Sequence, residues 1–410
     1  MDHSRTHATT EFHNSLFGSR SKAGLAPIMA TVFVAFIVIG FAMPVLPLHV
    51  HHSLGFGTFI VGLVAGGQYA AAIVSRVWAG RQADTRGPKI AVISGLVIST
   101  VAGLLYLLSL EFIGSPELSV AILLFGRTLL GIGESFIITG AQAWGVAVSG
   151  VQNAGKVLAW VGSAMFAAFA LGAPAGTVLY SSYGFFAIGL ATALLPLGTL
   201  AFVAPLPRAS CVAGVRTGFM RILTAVWLPG LASALSSVGF GAITAFSALL
   251  FVSRGWAAWP AFTAFATVFI LTRILLGHLT DQFGGAKVAL VCGLVEAAGL
   301  ALIWLAPWLT MALIGAALTG LGYSLVFPGF GAEAIRSAPA PSRGFAMGAY
   351  TAFLDVALGF GTPALGLLGD LAGLGTVFLA SMIAALGAAS IAAAILYTSR
   401  HRISGVLARS

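Results

Sequence analysis

Twelve apolar runs, each close to the length of about twenty residues that a helix needs to cross a bilayer, fill this chain almost from end to end. Their approximate limits are 27–48, 58–80, 90–110, 119–141, 157–180 and 184–205, then 222–250, 258–279, 287–306, 309–333, 346–368 and 374–397. With 59% hydrophobic and only 8% charged residues, and a mean hydropathy of +1.02, the chain lacks the polar groups to cover a surface facing water. The expected fold class is all-α integral membrane, with twelve transmembrane helices.

The runs fall into two sets that share one plan. Arg76 to Lys89 (RVWAGRQADTRGPK) is echoed by Arg273 to Lys287 (RILLGHLTDQFGGAK), with Gly80, Asp84 and Gly87 matched by Gly277, Asp281 and Gly284. Gly131 to Gly140 (GIGESFIITG) is answered by Gly320 to Gly329 (GLGYSLVFPG), Gly155 by Gly344, and Gly172-Ala173-Pro174 by Gly361-Thr362-Pro363. Internal symmetry of this size in so apolar a chain suits a transporter built from two parallel membrane repeats. The expected organisation is an N-terminal tail over 1–26, six-helix bundles over 27–205 and 222–397, a linker over 206–221 and a C-terminal tail over 398–410.

The net charge of +9 does not imply a nucleic-acid partner, because the basic residues sit in alternate loops. Arg81, Arg86, Lys89, Lys156, Arg208, Arg216, Arg221, Lys287, Arg336 and Arg343 fall on one side, joined by Arg400, Arg402 and Arg409 of the tail; Arg254 stands almost alone on the other. By the positive-inside rule that side is cytoplasmic and so are both termini. The first 25 residues carry Arg5, Arg20 and Lys22 and no small-residue cleavage site, so they read as a cytoplasmic tail. Loops such as Ser181 to Gly184 are too short for an ectodomain or an extracellular catalytic unit.

In the repeated loop, Gly80 and Gly87 are expected to let the second helix end and the chain reverse, Asp84 to meet a helix start or a basic partner, and Arg86 and Lys89 to face anionic headgroups. Here the chain resembles the major facilitator superfamily, from Pro27 onward. Gly80, Asp84, Gly87 and Lys89 match that family's loop signature between helices two and three, with Thr85 and Pro88 in place of its usual basic residues. Met43-Pro44-Val45-Leu46-Pro47 looks like the paired-proline end of helix one in twelve-helix drug exporters, and Arg127 with Gly131 and Gly133 is similar to the helix-four motif. Leu171 to Gly176 looks like a degenerate antiporter motif, with Ala173 before Pro174 where the family prefers Gly. The resemblance implies two pseudo-symmetric six-helix bundles in a bacterial inner membrane, a cytoplasmic latch at the loop, and proton antiport; from its position at the end of helix two, Asp84 is expected to bond across to the other bundle near helix eleven, where an acid can meet a helix N-terminus. Pro44, Pro47, Gly172, Pro174, Pro328 and Pro363 are the expected bends, and the glycines of helices seven (Gly230, Gly239, Gly241) and ten (Gly320, Gly322, Gly329, Gly331) read as gate segments in interrupted helices.

Six ionisable residues lie inside the apolar runs and clear of their ends: Arg76, Arg127, Glu134, Arg273, Glu296 and Asp355. Charges at membrane depth cost about 2.5–3.5 kcal/mol each and persist where they face a cavity or one another. Arg76 and Arg273, near the cytoplasmic ends of their runs, read as snorkelling residues. Arg127 and Glu134 are seven residues apart, on one face of helix four. Glu134, Asp355 and Glu296, in that order, are candidate proton carriers, with Arg127 as the cation that sets Glu134; Glu296 ranks last because helix nine is peripheral in the family the chain resembles. Gln68, Tyr69, Thr139, Gln142, Ser236 and Ser237 are candidate cavity residues, in a cavity suited to amphipathic or weakly polar solutes.

No catalytic constellation, phosphate-cradling loop or metal-ligand spacing is present, so no cofactor and no metal are expected and the energy source would be an ion gradient. His49, His51 and His52 read as a solvated loop, and Cys211 and Cys292 as small hydrophobes. The expectation is a single-chain, proton-coupled exporter of a small organic solute, its partners being the solute, protons and the bilayer. An uptake symporter or facilitator for a sugar or small nutrient is the first alternative, and a non-transporting sensor or channel the second; neither long soluble tails nor a ring of selectivity charges favours the latter.

Overall fold

The computed structural model describes residues 3–150, 153–207, 219–338 and 343–407, and all regular structure in them is helical. The helices are α1 (His3–Leu48), α2 (Thr58–Arg86), α3 (Pro88–Leu110), α4 (Pro116–Ser149), α5 (Ala154–Val203), α6 (Phe219–Ser253), α7 (Trp259–Leu276), α8 (Leu279–Phe283), α9 (Gly285–Leu305), α10 (Leu309–Ser337), α11 (Arg343–Val356), α12 (Thr362–Ala372) and α13 (Leu374–Leu407). Among the described residues eleven stretches are long and apolar enough to cross a membrane. One of them, Lys156–Val203, has 48 residues, which at 1.5 Å per residue is about 72 Å, more than twice the hydrocarbon thickness. It breaks at Gly184, whose φ of 70° interrupts α5 where the sequence places a loop, so the described residues hold twelve stretches of crossing length. Most of the expected linker, with Cys211, Arg208 and Arg216, lies outside the described residues, as does Arg409.

The expected N-terminal tail continues α1 as helix from His3. Other helices also outrun their apolar cores: α2 extends to Arg86 and α10 to Ser337. We call the end of the molecule where α2 meets α3 the basic face and the other the opposite face.

Packing repeats as the glycines repeat. Gly131 of α4 lies against the backbone of Gln68 in α2, and its counterpart Gly320 of α10 against Phe265 of α7, the position matching Gln68. Gly133 meets Gly95 and Ser99 of α3; Gly322 meets Cys292 and Glu296 of α9, the matching pair. At each crossing a Cβ would collide with backbone, so glycine sets how closely the helices approach. Gly172 does the same for α5 against Gly40 of α1, which makes that part of the expected antiporter stretch a packing site inside one bundle.

Between the bundles runs a seam formed by α2 against α12 and α11, α5 against α7, and α1 against α6. On its opposite-face side α2 and α12 touch through glycines: Gly62 and Gly66 lie on Thr362, Pro363 and Gly359, and Gly366 lies on Thr58 and Phe59. The proline bend expected in the eleventh run appears as a π-helical turn, Ala357–Gly361, just before Pro363, and a second π-turn, His49–Ser53, follows Pro44 and Pro47. By contrast α10 is unbroken through Pro328 and α6 through its glycines, which face neighbours inside their own bundle. In this state the glycines of the expected gate segments in helices seven and ten pack inside their own bundle, and the glycines at the α2–α12 crossing lie on α2, on α12 and in the π-turn before it. Gly80 likewise stays helical within α2, and only Gly87 (φ 100°) and its counterpart Gly284 (φ 86°) make the turn.

Candidate functional site

Arg76 does not snorkel. Because α2 runs on to Arg86, Arg76 lies about 15 Å from the helix end, and it reaches across the seam to Asp355 of α11. Nε donates to Oδ2 at 2.8 Å and Nη2 also contacts Oδ2. The pair joins the two bundles at a carboxylate only 2% exposed. Close by, Gln68 Nε2 donates to Glu134 Oε2, and Glu134 lies within electrostatic range of Asp355, Arg76 and Arg127. Tyr69, next along α2, is buried beside the same groups.

Arg127 shares a face of α4 with Glu134 but does not pair with it. Its guanidinium donates to Tyr106 Oη at 3.3 Å and to the Val64 carbonyl at 3.4 Å, toward the opposite face. Seven residues along a helix span about 10 Å, too far for direct contact, so Gln68 and not Arg127 is the neighbour that holds Glu134.

Arg273 is the repeat counterpart of Arg76 and also turns inward. Nη1 donates at 2.8 Å to the Ser324 carbonyl, the group that Pro328 leaves without its helical donor. The guanidinium sits 5.7 Å from the ring of Phe166, on α5 of the other bundle. Around it is a continuous set of rings. Phe166 meets Phe269 at 5.2 Å and Phe327 at 6.1 Å, and Phe240 stacks on Tyr323 at 5.0 Å.

Glu296 is fully buried between α6, α9 and α10, not at the periphery. Ser236 Oγ donates to its Oε2, while Oε1 has no hydrogen-bond partner. Ser237 donates to the Ser233 carbonyl and meets Tyr323 Oη at 3.2 Å, so both serines serve the interior of the second bundle. Thr139 and Gln142 are half-buried on α4, with no described polar partner.

At the basic face Asp84 and Asp281 are exposed and bond to no described residue; residues 339–342, leading into the helix that Asp84 is expected to meet, lie outside the described residues. Lys89 does not face lipid: its Nζ donates to the Ala204 and Leu206 carbonyls, closing the C-terminal end of α5. His49 stacks on Phe185 at 4.1 Å, apart from His51 and His52, so the three form no cluster.

Sequence reasoning missed Asp370. This α12 residue accepts from the Thr58 amide at 2.6 Å, the Phe59 amide at 2.9 Å and the Thr58 hydroxyl at 2.7 Å. The N-cap of α2 is Gly57, which has no side chain to cap with, and the carboxylate of the other bundle supplies what is missing. Glu333, also missed, accepts from the Ala286 amide at the start of α9 and pairs with Arg336. The signal for Asp370 was faint, since an acid at the end of an apolar run looks like ordinary loop composition.

Known proteins match this architecture. The sequence model of the Major Facilitator Superfamily matches residues 28–261 and 252–409. An uncharacterised transporter of that type from Salmonella typhimurium is 41% identical over 366 residues, covering 89% of this chain and 94% of its own length. Another from Pseudomonas aeruginosa is 41% identical over 380 residues, covering 92% and 94%. Among solved structures, a nucleoside transporter matches the fold with a TM-score of 0.70 at 13% identity, covering 90% of this chain and 99% of that one.

Proposed function

The chain belongs to the major facilitator superfamily, and from that membership we propose that it is a proton-coupled secondary transporter that exports a small organic solute across a bacterial inner membrane, with the basic face and both termini cytoplasmic. The observation that carries this reading is the Arg76–Asp355 pair. A buried ion pair across a seam that must part during alternating access makes the separation depend on the charge of one carboxyl. Glu134 is the first proton carrier and Asp355 the second: Glu134 lies within range of that pair, so a proton on either acid changes the field at the other. Glu296 ranks third, enclosed within the second bundle. Gln68 and Tyr69 border the solute path beside Glu134, with Thr139 and Gln142 further along α4.

The test is proton flux into proteoliposomes loaded with a pH dye, with candidate solutes added and Glu134→Gln, Asp355→Asn and Glu296→Gln compared singly. Solute-driven proton movement is expected in wild type and lost in Glu134→Gln. Movement that survives all three changes would end the coupling assignment. Proton and solute moving in the same direction would replace export by uptake symport, and solute movement indifferent to the pH gradient would make the protein a facilitator.

A further inference from the structure

Arg76 and Arg273 occupy matching positions of the two repeats, and so do Asp355 and Phe166. Each arginine reaches across the seam to the fifth crossing of the other bundle, Arg76 to a carboxylate and Arg273 to a ring. The second seam thus has the cation and lacks the anion. Among the described residues no carboxylate pairs with Arg273, and its one hydrogen bond goes to the Ser324 carbonyl. A guanidinium carries five donors, and a charge at membrane depth persists where it is paired or faces a cavity.

The rings beside it supply the other half of a site. Phe262, Phe265, Ala266, Phe269 and Arg273 follow helical spacing along one stripe of α7. The first four of these line a narrow apolar crevice with Phe166 of α5 and Phe240 of α6. No polar side chain lines it, and Arg273 lies 5.7 Å from the ring of Phe166, which does. In the present state the rings close on one another, with Phe166 and Phe269 in tilted contact across the seam. That contact has to part when α5 and α7 separate.

We propose that this seam binds an aromatic monocarboxylate, its carboxylate on Arg273 in the place that Asp355 takes against Arg76, its ring between Phe166 and Phe269. The proposal rests on the transporter reading and names its solute class. A planar guest replaces the ring contacts that opening breaks, and its carboxylate supplies the charge-assisted hydrogen bonds that Arg273 lacks. A cation of the same shape would meet the guanidinium as a like charge, and an aliphatic acid would forgo the stacking.

The experiment is equilibrium dialysis of labelled benzoate, benzylamine and acetate against the purified full chain in lipid nanodiscs. Benzoate is expected to bind, acetate more weakly, and benzylamine not at all. Arg273→Gln should weaken benzoate by at least about tenfold and Arg273→Lys by less, since a lost hydrogen bond to a charged group is of that order. Should Arg273→Gln misfold, Phe166→Asp gives a second route: it places a carboxylate opposite Arg273 as Asp355 stands opposite Arg76, and should expel benzoate more completely than the uncharged Phe166→Asn. Equal benzoate binding in those two variants, unchanged affinity in Arg273→Gln, or benzylamine binding as tightly as benzoate would overturn the assignment. Proton flux driven by an uncharged solute, in protein that binds no benzoate, would overturn it while leaving the transporter reading intact. Benzoate binding without gradient-coupled flux would support the site and sink the coupling.

Discussion

A guanidinium and a carboxylate that meet across a membrane seam hold it only while both are charged. Arg76 and Asp355 are 20% and 2% exposed, and removing one partner of such a pair leaves the other uncompensated, at a cost on the order of 3 kcal/mol, whereas removing both costs much less. Arg76→Gln and Asp355→Asn should therefore each lower the stability of the purified protein, and the double variant should recover a large part of the loss. Thermal unfolding of all four proteins in one detergent gives the coupling directly; strictly additive effects would mean that the pair contributes nothing to stability. The six intramembrane charges were legible as unusual from the sequence, since so few ionisable residues interrupt the apolar runs. Their partners were not. Arg76 finds Asp355, Arg273 finds the carbonyl opposite Pro328, and Arg127 finds Tyr106 because of which helix lies across a crossing, and nothing in the spacing along one helix encodes that.

Helices here are finished by one another. Lys89 closes the C-terminal end of α5, Arg254 donates to the Ile303, Trp304 and Ala306 carbonyls at the end of α9, Glu333 caps the start of α9, and Asp370 caps α2. Each device satisfies backbone groups that a helix end leaves open. Arg254→Gln removes such a clamp and should lower stability by about 1 kcal/mol, the usual scale for a lost cap. Glycines decide how closely the same elements approach, and they fall into two classes. Gly131, Gly133, Gly320 and Gly322 sit inside bundles, while Gly62 and Gly66 sit on the seam. A larger side chain should thus destabilise a bundle at Gly322 but wedge the seam at Gly66. In Gly66→Leu, a cysteine introduced at Phe59 should be alkylated faster from the opposite face; in Gly322→Leu it should react at the wild-type rate in whatever protein folds. Matching rates in the two variants would contradict the division. The repeat made the paired bundle glycines visible beforehand, because Gly131 and Gly133 recur as Gly320 and Gly322. Gly62 and Gly66 fall outside the repeated stretches, so the symmetry gives no sign of them.

On the scale of the molecule, the described residues tie the two bundles with an acid at one end of the seam and show no such tie at the other. The opposite-face end is sealed by the α2–α12 crossing and locked by Asp370, while at the basic face Asp84 stands free of any described partner. The overall symmetry could be read in the chain, but this asymmetry could not, since both acids end a run in the same manner. Under the alternating access proposed above, the two ends exchange conditions, Asp370 letting go of the α2 N-terminus as the opposite face opens and the basic face then closing around Asp84. The two acids thus act on the same equilibrium from opposite sides. Asp370→Asn keeps the shape and removes the charge that meets the helix N-terminus; because the residue is exposed, a loss of about 1 kcal/mol is the appropriate scale. That should raise the ratio of opposite-face-open to closed molecules about fivefold. Asp84→Asn removes no bond to a described residue here and, as a latch, should weaken the other state, so it should move the ratio the opposite way. Paired cysteine probes, one at each end of the seam and reacted with an impermeant reagent from each side, measure both shifts in the same vesicles. Opposed shifts are expected; two variants moving the ratio in one direction, or Asp370→Asn leaving it unchanged, would show that these carboxylates are not the locks of a single two-ended gate.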